Sequence, residues 1–378
     1  MIWNIEDIFK PYKTTDKGRK MTPTRFPELS VSGSPTQMGQ NIGEHFKNQI
    51  REVTELVLDR VNKGTQNRIT WKQAEEAARD SFHRVEDFFP DIMDELKGTA
   101  TASNVNLERL MVMNSRNVLS LAKDGCTSIM VSDQASDSGN GFAGQNWDND
   151  PAMAPFSAVI TRKGTGKPAF TSWLQPGIVA YMGFNSAGVG VCMNALNGPT
   201  DSKGLPWYFL VRCILESESS EHAIKQISSA PRALTANAAM ITTAGPLNLE
   251  ITPDSVESLQ AGNNGMLVHT NHCVHPSLAS NNELYASRIY GQSFARKARA
   301  QVLLDKQAID GKVSINDAQA LLADHENFPT SICRHPNDER ETGWQRSVIS
   351  IIVEPSLHQM HISNGNPCEN PYETYQMK

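Results

Sequence analysis

The chain has 378 residues, of which 39% are hydrophobic and 20% charged, and its formal net charge at pH 7 is -6. That length can close one large core or two ordinary ones. An acidic balance without a basic cluster argues against a nucleic-acid partner, and no apolar run approaches the ~20 residues that span a bilayer, which argues against a membrane one. The opening MIWNIEDIFKPYK lacks the apolar stretch of a secretory signal. Cys126, Cys192, Cys213, Cys273, Cys333 and Cys368 lie far apart and do not read as a disulfide framework. With no N-x-[ST] triplet in the chain, these features point to a reducing, cytoplasmic setting.

Up to residue 125 the pattern is helical. In residues 38–61, Ile42, Phe46, Ile50, Val53, Val57 and Val61 recur three and four apart, which predicts one face of a single helix. Thr70 and Gln73 form a capping box that opens a second helix over 70–89, with Phe82, Val85 and Phe89 as its stripe. A third runs from Asn106 towards Ala122. From Cys126 the texture changes to short alternating segments between turns. Strands are expected over 126–133, 141–148, 157–164, 169–176, 179–185 and 188–196. Helices follow over 206–217 and 220–230, then strands over 238–245, 248–254, 255–262 and 266–272. Two more helices, 290–307 and 314–325, precede the last strands at 347–354 and 359–366. No repeat and no flexible linker cuts the chain. Long strand runs with separate helical blocks predict one structural unit, two sheets face to face with helices outside.

LAKDGCTSIMVSD, residues 121–133, places a thiol at the first position of a strand, directly after a glycine. A lone cysteine is ordinarily a small buried apolar residue. Gly125, however, can adopt strained or positive-φ conformations that other residues avoid. If the bond between Gly125 and Cys126 broke, Cys126 would head a new chain. Its α-amine, with a pKa near ~7.7–8.0, could then take the proton of its own thiol, pKa near ~8.5. A hairpin would return Asp148, in QNWDND, to the same end of the sheet.

DGCTS, GFAGQNWDND, HTNH and the closing NGNP, in that order from about residue 35 to the end, resemble the autoproteolytic acyltransferases of the penicillin acyltransferase type. These belong to the N-terminal-nucleophile hydrolases. The resemblance implies an α+β fold, a four-layer αββα sandwich. It implies self-cleavage before Cys126, with a helical segment 1–125 and a core 126–378 that stay associated. It implies that Asp148 orients the new ammonium or an arginine and that Asn271, in HTNH, holds the oxyanion of the tetrahedral intermediate. Asn194, in GVGVCMNAL, resembles a strand-end asparagine of related N-terminal-cysteine amidases. An arginine near the nucleophile would favour the thiolate. Arg296 and Arg299, on one helix face, and Arg346 are the candidates, because the family's arginine near the last strands falls close to Gly343 here.

Two other readings compete for these residues. His269, His272, Cys273 and His275 are dense enough for a zinc site, yet on a strand His272 points away from the other three, and no HExxH or CxxC accompanies them. GVG at 188–190 lacks the third glycine of a dinucleotide fingerprint and reads as sheet packing. Trp147, Trp173 and Trp207 are candidates for an apolar acyl pocket as well as for core. The reading that follows is an amidohydrolase acting on a small acylated amine or peptide-like amide through a Cys126 thioester, with no metal or organic cofactor required. Acyl transfer to an amine is the alternative. A non-catalytic scaffold would have no chemical need for Cys126, Asp148 and Asn271 together.

Overall fold

Two sheets face one another in the computed structural model, which describes residues 25–63, 67–120, 125–285, 291–339 and 342–378. The opening stretch MIWNIEDIFKPYK, residues 121–124 before the Gly125 junction, and Tyr290 at the start of one expected helix lie outside the described residues. The first sheet has eight strands in the order β1 (Glu28–Ser32), β4 (Ala158–Lys163), β5 (Phe170–Leu174), β6 (Gly183–Asn185), β7 (Gly190–Ala195), β8 (Ala236–Thr242), β9 (Gly245–Ile251) and β10 (Val256–Gln260). The second has six: β11 (Met266–His269), β2 (Gly125–Val131), β3 (Phe142–Asn149), β12 (Arg346–Glu354), β13 (Gln359–Asn364) and β14 (Tyr372–Gln376).

Helices cover both outer faces. On the eight-stranded side lie α1 (Pro35–His45), α2 (Lys47–Asn62), α3 (Trp71–Phe88), α4 (Pro90–Ser103), α5 (Leu107–Ser120), α6 (Trp207–Leu215) and α7 (Ser220–Ser229). After the short α8 (Asn281–Leu284), α9 (Gly291–Asp310) and α10 (Ile315–Leu322) cover the six-stranded sheet. The four layers are therefore αββα, as expected. Strand alternation sorts β2 between two cores: Cys126 and Met130 join the large core between the sheets, Ile129 and Val131 the smaller one under α9 and α10.

The expected helix 38–61 is two helices, broken at Phe46, whose φ of -105° and ψ of 21° leave the helical region. The break lets α1 lie against α4 through glycines. A Cβ on Gly39 would stand 1.9 Å from the Glu95 carbonyl oxygen. The Thr70–Gln73 capping box forms as read. Four elements went unread: β1, α4, α8 and β14. β1 pairs in parallel with β4, so the segment before Cys126 supplies an edge strand to the core after it.

A buried ion cluster also joins those two parts. Glu95 of α4 accepts from Arg162 of β4 at 2.8 Å and from Arg212 of α6 at 2.8 Å, and Arg212 also meets Glu216 at 2.6 Å. Burial pushes the Glu95 carboxyl up, but the two guanidinium groups outweigh it and hold its pKa at about 2.

Candidate active site

Cys126 is fully buried near the start of β2, and its partner across the ladder is Trp147 of β3. Its backbone N–H donates to Asn271 Oδ1 at 2.9 Å. Arg296 of α9 is buried too, and its Nη1 donates to the Cys126 carbonyl and, at 2.8 Å, to Thr127 Oγ1. Its Nη2 donates to Asn271 Oδ1 at 2.8 Å. Of the three candidate arginines, Arg296 therefore meets the backbone of Cys126. Arg299, one turn on, pairs with Asp324 at 2.7 Å and Glu326 at 2.9 Å. Gly343 is closed in by the carbonyls of Asn337 and Glu339, 2.2 and 2.5 Å from where its Cβ would be.

Asn271 follows β11 and is held on every side. Its N–H donates to Ser293 Oγ at 2.9 Å, and its Nδ2 donates to the Ala195 carbonyl at 3.0 Å. Ala195 takes one of the two hydrogens of that amide. The side chain thus ties the six-stranded sheet to the end of β7 in the other one.

Gly125 is explained by space, not by φ. It is a strand residue, and it is not among the glycines in the left-handed region. Asp148 sits opposite it on β3, and a Cβ on Gly125 would meet Asp148 Oδ2 at 2.7 Å. The expectation of positive φ is corrected accordingly. Asp148 has a second cross-strand neighbour, Ser347 of β12, whose Oγ donates to Asp148 Oδ1 at 2.7 Å. Ser347 Oγ accepts in turn from the Arg334 N–H at 2.9 Å. Alternation puts Gly125 and Thr127 on the face towards α9 and Cys126 on the face towards the other sheet. The Asp148 carboxylate accordingly lies beside the peptide before Cys126, on the face opposite the thiol.

The thiol's own face carries a polar network. Ser128 Oγ meets Gln145 Oε1 and Asn194 Oδ1, each at 2.9 Å, and Asn237 Nδ2 donates to Asn194 Oδ1 at 3.0 Å. Asn194, on β7 of the facing sheet, therefore meets Ser128, which is two residues along β2 from Cys126 and on the same face of that strand. Ser128, Gln145 and Asn237 were not read as site residues. The alternation of β2, with Cys126 and Ser128 two apart, was the signal that could have found the first. The tryptophans are core, and they are contiguous with the site. Trp147 packs edge-on to Trp173 at 5.4 Å and to Tyr181 at 5.7 Å, and Tyr181 stacks on Trp207 at 6.2 Å.

The HTNHCVH side chains diverge. His269 Nε2 meets Glu250 Oε1 at 2.8 Å, His272 Nδ1 meets Ser293 Oγ at 2.8 Å, and His275 Nδ1 meets Ser277 Oγ at 2.8 Å. Burial, with His269, Lys297 and Arg296 nearby, lowers the His272 pKa to about 4. Burial pushes the Cys273 thiol up to about 12, and the Cys192 thiol likewise.

Residues 135–369 match the family described as acyl-coenzyme A:6-aminopenicillanic acid acyl-transferase. The chain belongs to that family. It is an enzyme, and its fold is the four-layer α+β sandwich described above. It is 28% identical over 363 residues to the acyl-coenzyme A:6-aminopenicillanic-acid-acyltransferase 40 kDa form of Emericella nidulans, covering 92% of this chain and 95% of that one. Solved structures with similar folds include a Caenorhabditis elegans N-acylethanolamine-hydrolyzing acid amidase ortholog, at TM-score 0.45 and 14% identity over 61% of this chain and 94% of that one. Another is a variant of the conjugated bile acid hydrolase of Clostridium perfringens, at TM-score 0.46 and 12% identity over 67% and 97%. Among the described residues, no helix is long and apolar enough to cross a membrane.

Proposed function

We propose that this chain is a self-cleaving N-terminal-cysteine enzyme that cleaves a small acyl amide through a thioester on Cys126. One observation carries the reading. Cys126 has its nitrogen held by Asn271 and its carbonyl by Arg296, while a buried carboxylate, Asp148, faces the residue before it. In maturation the Cys126 thiol attacks the Gly125 carbonyl carbon. The peptide nitrogen leaves with the thiol's proton, and a thioester joins Gly125 to Cys126. Water opens it, giving the Gly125 carboxylate and the Cys126 thiol, beside the α-amine already released. Asn271 Oδ1 can accept from that nitrogen as an amide before cleavage and as an amine after it. Asp148 lies where the new ammonium needs a counter-charge.

In turnover the thiol attacks the substrate's amide carbon, and the α-amine takes the thiol proton and passes it to the leaving amine. Asn271 Nδ2 is the side-chain donor assigned to the oxyanion. The aromatic run from Trp147 to Trp207 supports an apolar acyl group. After cleavage the fragments 1–125 and 126–378 stay together, because β1–β4 pairing and the Glu95–Arg162–Arg212 cluster join them.

Intact mass tests the maturation step. Wild-type protein should give two chains, the second beginning at Cys126, and Cys126→Ala one chain. A folded wild type that stays whole overturns the proposal. Water or an amine can resolve the thioester. Hydrolysis is the leading reading, and the family's description favours transfer as the second. Supplying an acyl donor with increasing amine separates them: free acid dominating throughout means hydrolysis, and new amide at low amine concentration means transfer.

A further inference from the structure

A second cluster of reactive side chains lies away from the nucleophile. His325 follows α10, Cys333 and His335 lie in the loop before β12, and Cys368 lies between β13 and β14. Their ligand atoms all fall within 4.8 Å of one another. His325 Nε2 is 3.2 Å from His335 Nε2, and Cys333 Sγ is 3.5 Å from Cys368 Sγ. His335 Nε2 is 3.7 Å from Cys333 Sγ and 3.4 Å from Cys368 Sγ.

One ring nitrogen carries one proton or one lone pair, so hydrogen bonding can satisfy His335 Nε2 towards only one of these three neighbours. A cation at their centre satisfies all four atoms. With bonds of about 2.3 Å to sulfur and about 2.0–2.1 Å to nitrogen, a tetrahedral zinc sets its ligand atoms about 3.3–3.8 Å apart. Four of the six separations are 3.2 to 3.7 Å, close to that spread, and the other two lie within 4.8 Å. A Cys333–Cys368 disulfide alone would leave the convergence of two imidazoles on the same point without a purpose.

The surroundings suit a metal. Asn366 Nδ2 donates to Cys333 Sγ at 3.4 Å, as outer-shell donors do towards bound thiolates. The other ring nitrogen of His335, Nδ1, faces the Glu369 carboxylate at 3.9 Å. Phe328 packs its ring against both imidazoles, at 5.7 Å from His325 and 5.2 Å from His335.

We propose that His325, Cys333, His335 and Cys368 form a structural Cys2His2 zinc site that clips the loop before β12 to the β13–β14 connection. The clip has a defined target. Arg334 lies between two of the ligands, and its carbonyl accepts from Ser347 N at 3.0 Å and from Asn366 Nδ2 at 2.7 Å. Its N–H holds Ser347 Oγ, which donates to Asp148. The zinc site therefore positions the carboxylate beside the Gly125–Cys126 peptide. That last link rests on the function proposed above; the metal site does not.

Metal content of the full chain, purified without chelator, is the direct test. Wild type should carry close to one zinc per chain, and Cys368→Ser and His325→Ala should lose it. Cobalt added to chelator-stripped wild type should give the visible bands of a tetrahedral site and a sulfur-to-cobalt charge-transfer band, a readout that needs no variant to fold. Cys368 is exposed, so brief iodoacetamide treatment should spare it with zinc bound and label it after chelation. Wild type without zinc and without cobalt bands, Cys368 labelled equally fast before and after chelation, or a Cys333–Cys368 disulfide in place of metal would each overturn the site. If the site holds and chelation leaves self-cleavage unchanged, only the link to Asp148 fails.

Discussion

Two stretches rich in histidine and cysteine behave in opposite ways. His269, His272, Cys273 and His275 are crowded into seven residues of sequence and separate in space. His325, Cys333, His335 and Cys368 are spread over forty-four residues and converge. Density along one short segment works against convergence here: only His269 lies on β11, and in the turn after it His272 and His275 each take a partner of their own. Loops from different elements can bring distant side chains to one point without that constraint. Both stretches nevertheless reach the surroundings of Cys126. The first delivers Asn271 to the Cys126 nitrogen, and the second leads through Arg334 and Ser347 to Asp148.

Asn271 gives the first stretch its largest role. Asn271→Ala should lower kcat by on the order of 10²–10³, the usual loss for an oxyanion-hole donor. Burst kinetics with an activated acyl donor would show it, since the loss should fall on acylation. A rise in KM alone, with kcat kept, would mean that Asn271 binds substrate without stabilising charge.

The histidines of the same stretch serve a carboxylate, and that is the next largest effect. Glu250 accepts from His269, from the Val274 N–H and, at 3.1 Å, from the His275 N–H. Burial pushes its carboxyl up, but the His269 hydrogen bond and these backbone donors outweigh it and hold the pKa below its ordinary 4.5. A carboxyl lowered on folding stabilises the fold above its ordinary pKa and loses that contribution as pH falls through the lowered value. Glu250→Gln should cost on the order of 3 kcal/mol near neutral pH. Below pH 4.5 the thermal midpoint of wild type should fall towards that of the variant. Parallel melting curves across that range would mean that the pair carries no stability.

Ser347 tests the second stretch with a smaller change. Ser347→Ala leaves Asp148 Oδ1 and the Arg334 N–H without that hydroxyl, at a cost of about 1–3 kcal/mol. Self-cleavage should slow about tenfold while zinc stays bound, since the hydroxyl is not a ligand. Loss of zinc instead would show that Ser347 supports the loop more than it supports Asp148.

These residues also show what sequence reading reaches. The alternation from Cys126 onward located most strands, and the Gly-Cys junction singled out the candidate nucleophile, because both are local patterns. Arg296 was one of three arginines that periodicity alone could not rank. Its contact with Cys126 spans 170 positions. Gly125 was read for its backbone freedom, whereas a carboxylate 23 positions later sets its need for space. α4 was missed although Pro90 at its first turn and Asn104 in the left-handed region at its end mark both limits. The spacing of Cys333 and Cys368 hid a pair that only the packing of the β13–β14 connection against the loop before β12 brings together.

The smallest effect draws the sharpest line between the two stretches. His275 is the outermost histidine of the crowded one. Its ring touches Ser277 at 2.8 Å and stands 3.9 Å from Glu257 at the surface, and the bond to Glu250 comes from its backbone, not its ring. His275→Ala therefore removes no buried partner and should change stability by no more than about 0.5 kcal/mol. Zinc content, self-cleavage and turnover should all match wild type, while His325→Ala, the same substitution at a more exposed position, should empty the metal site. The pair is best run side by side, with zinc per chain as the common readout. If His275→Ala lost the metal and His325→Ala kept it, local density in the sequence would be the better guide, and the convergence of the four distant ligands would have no chemical meaning.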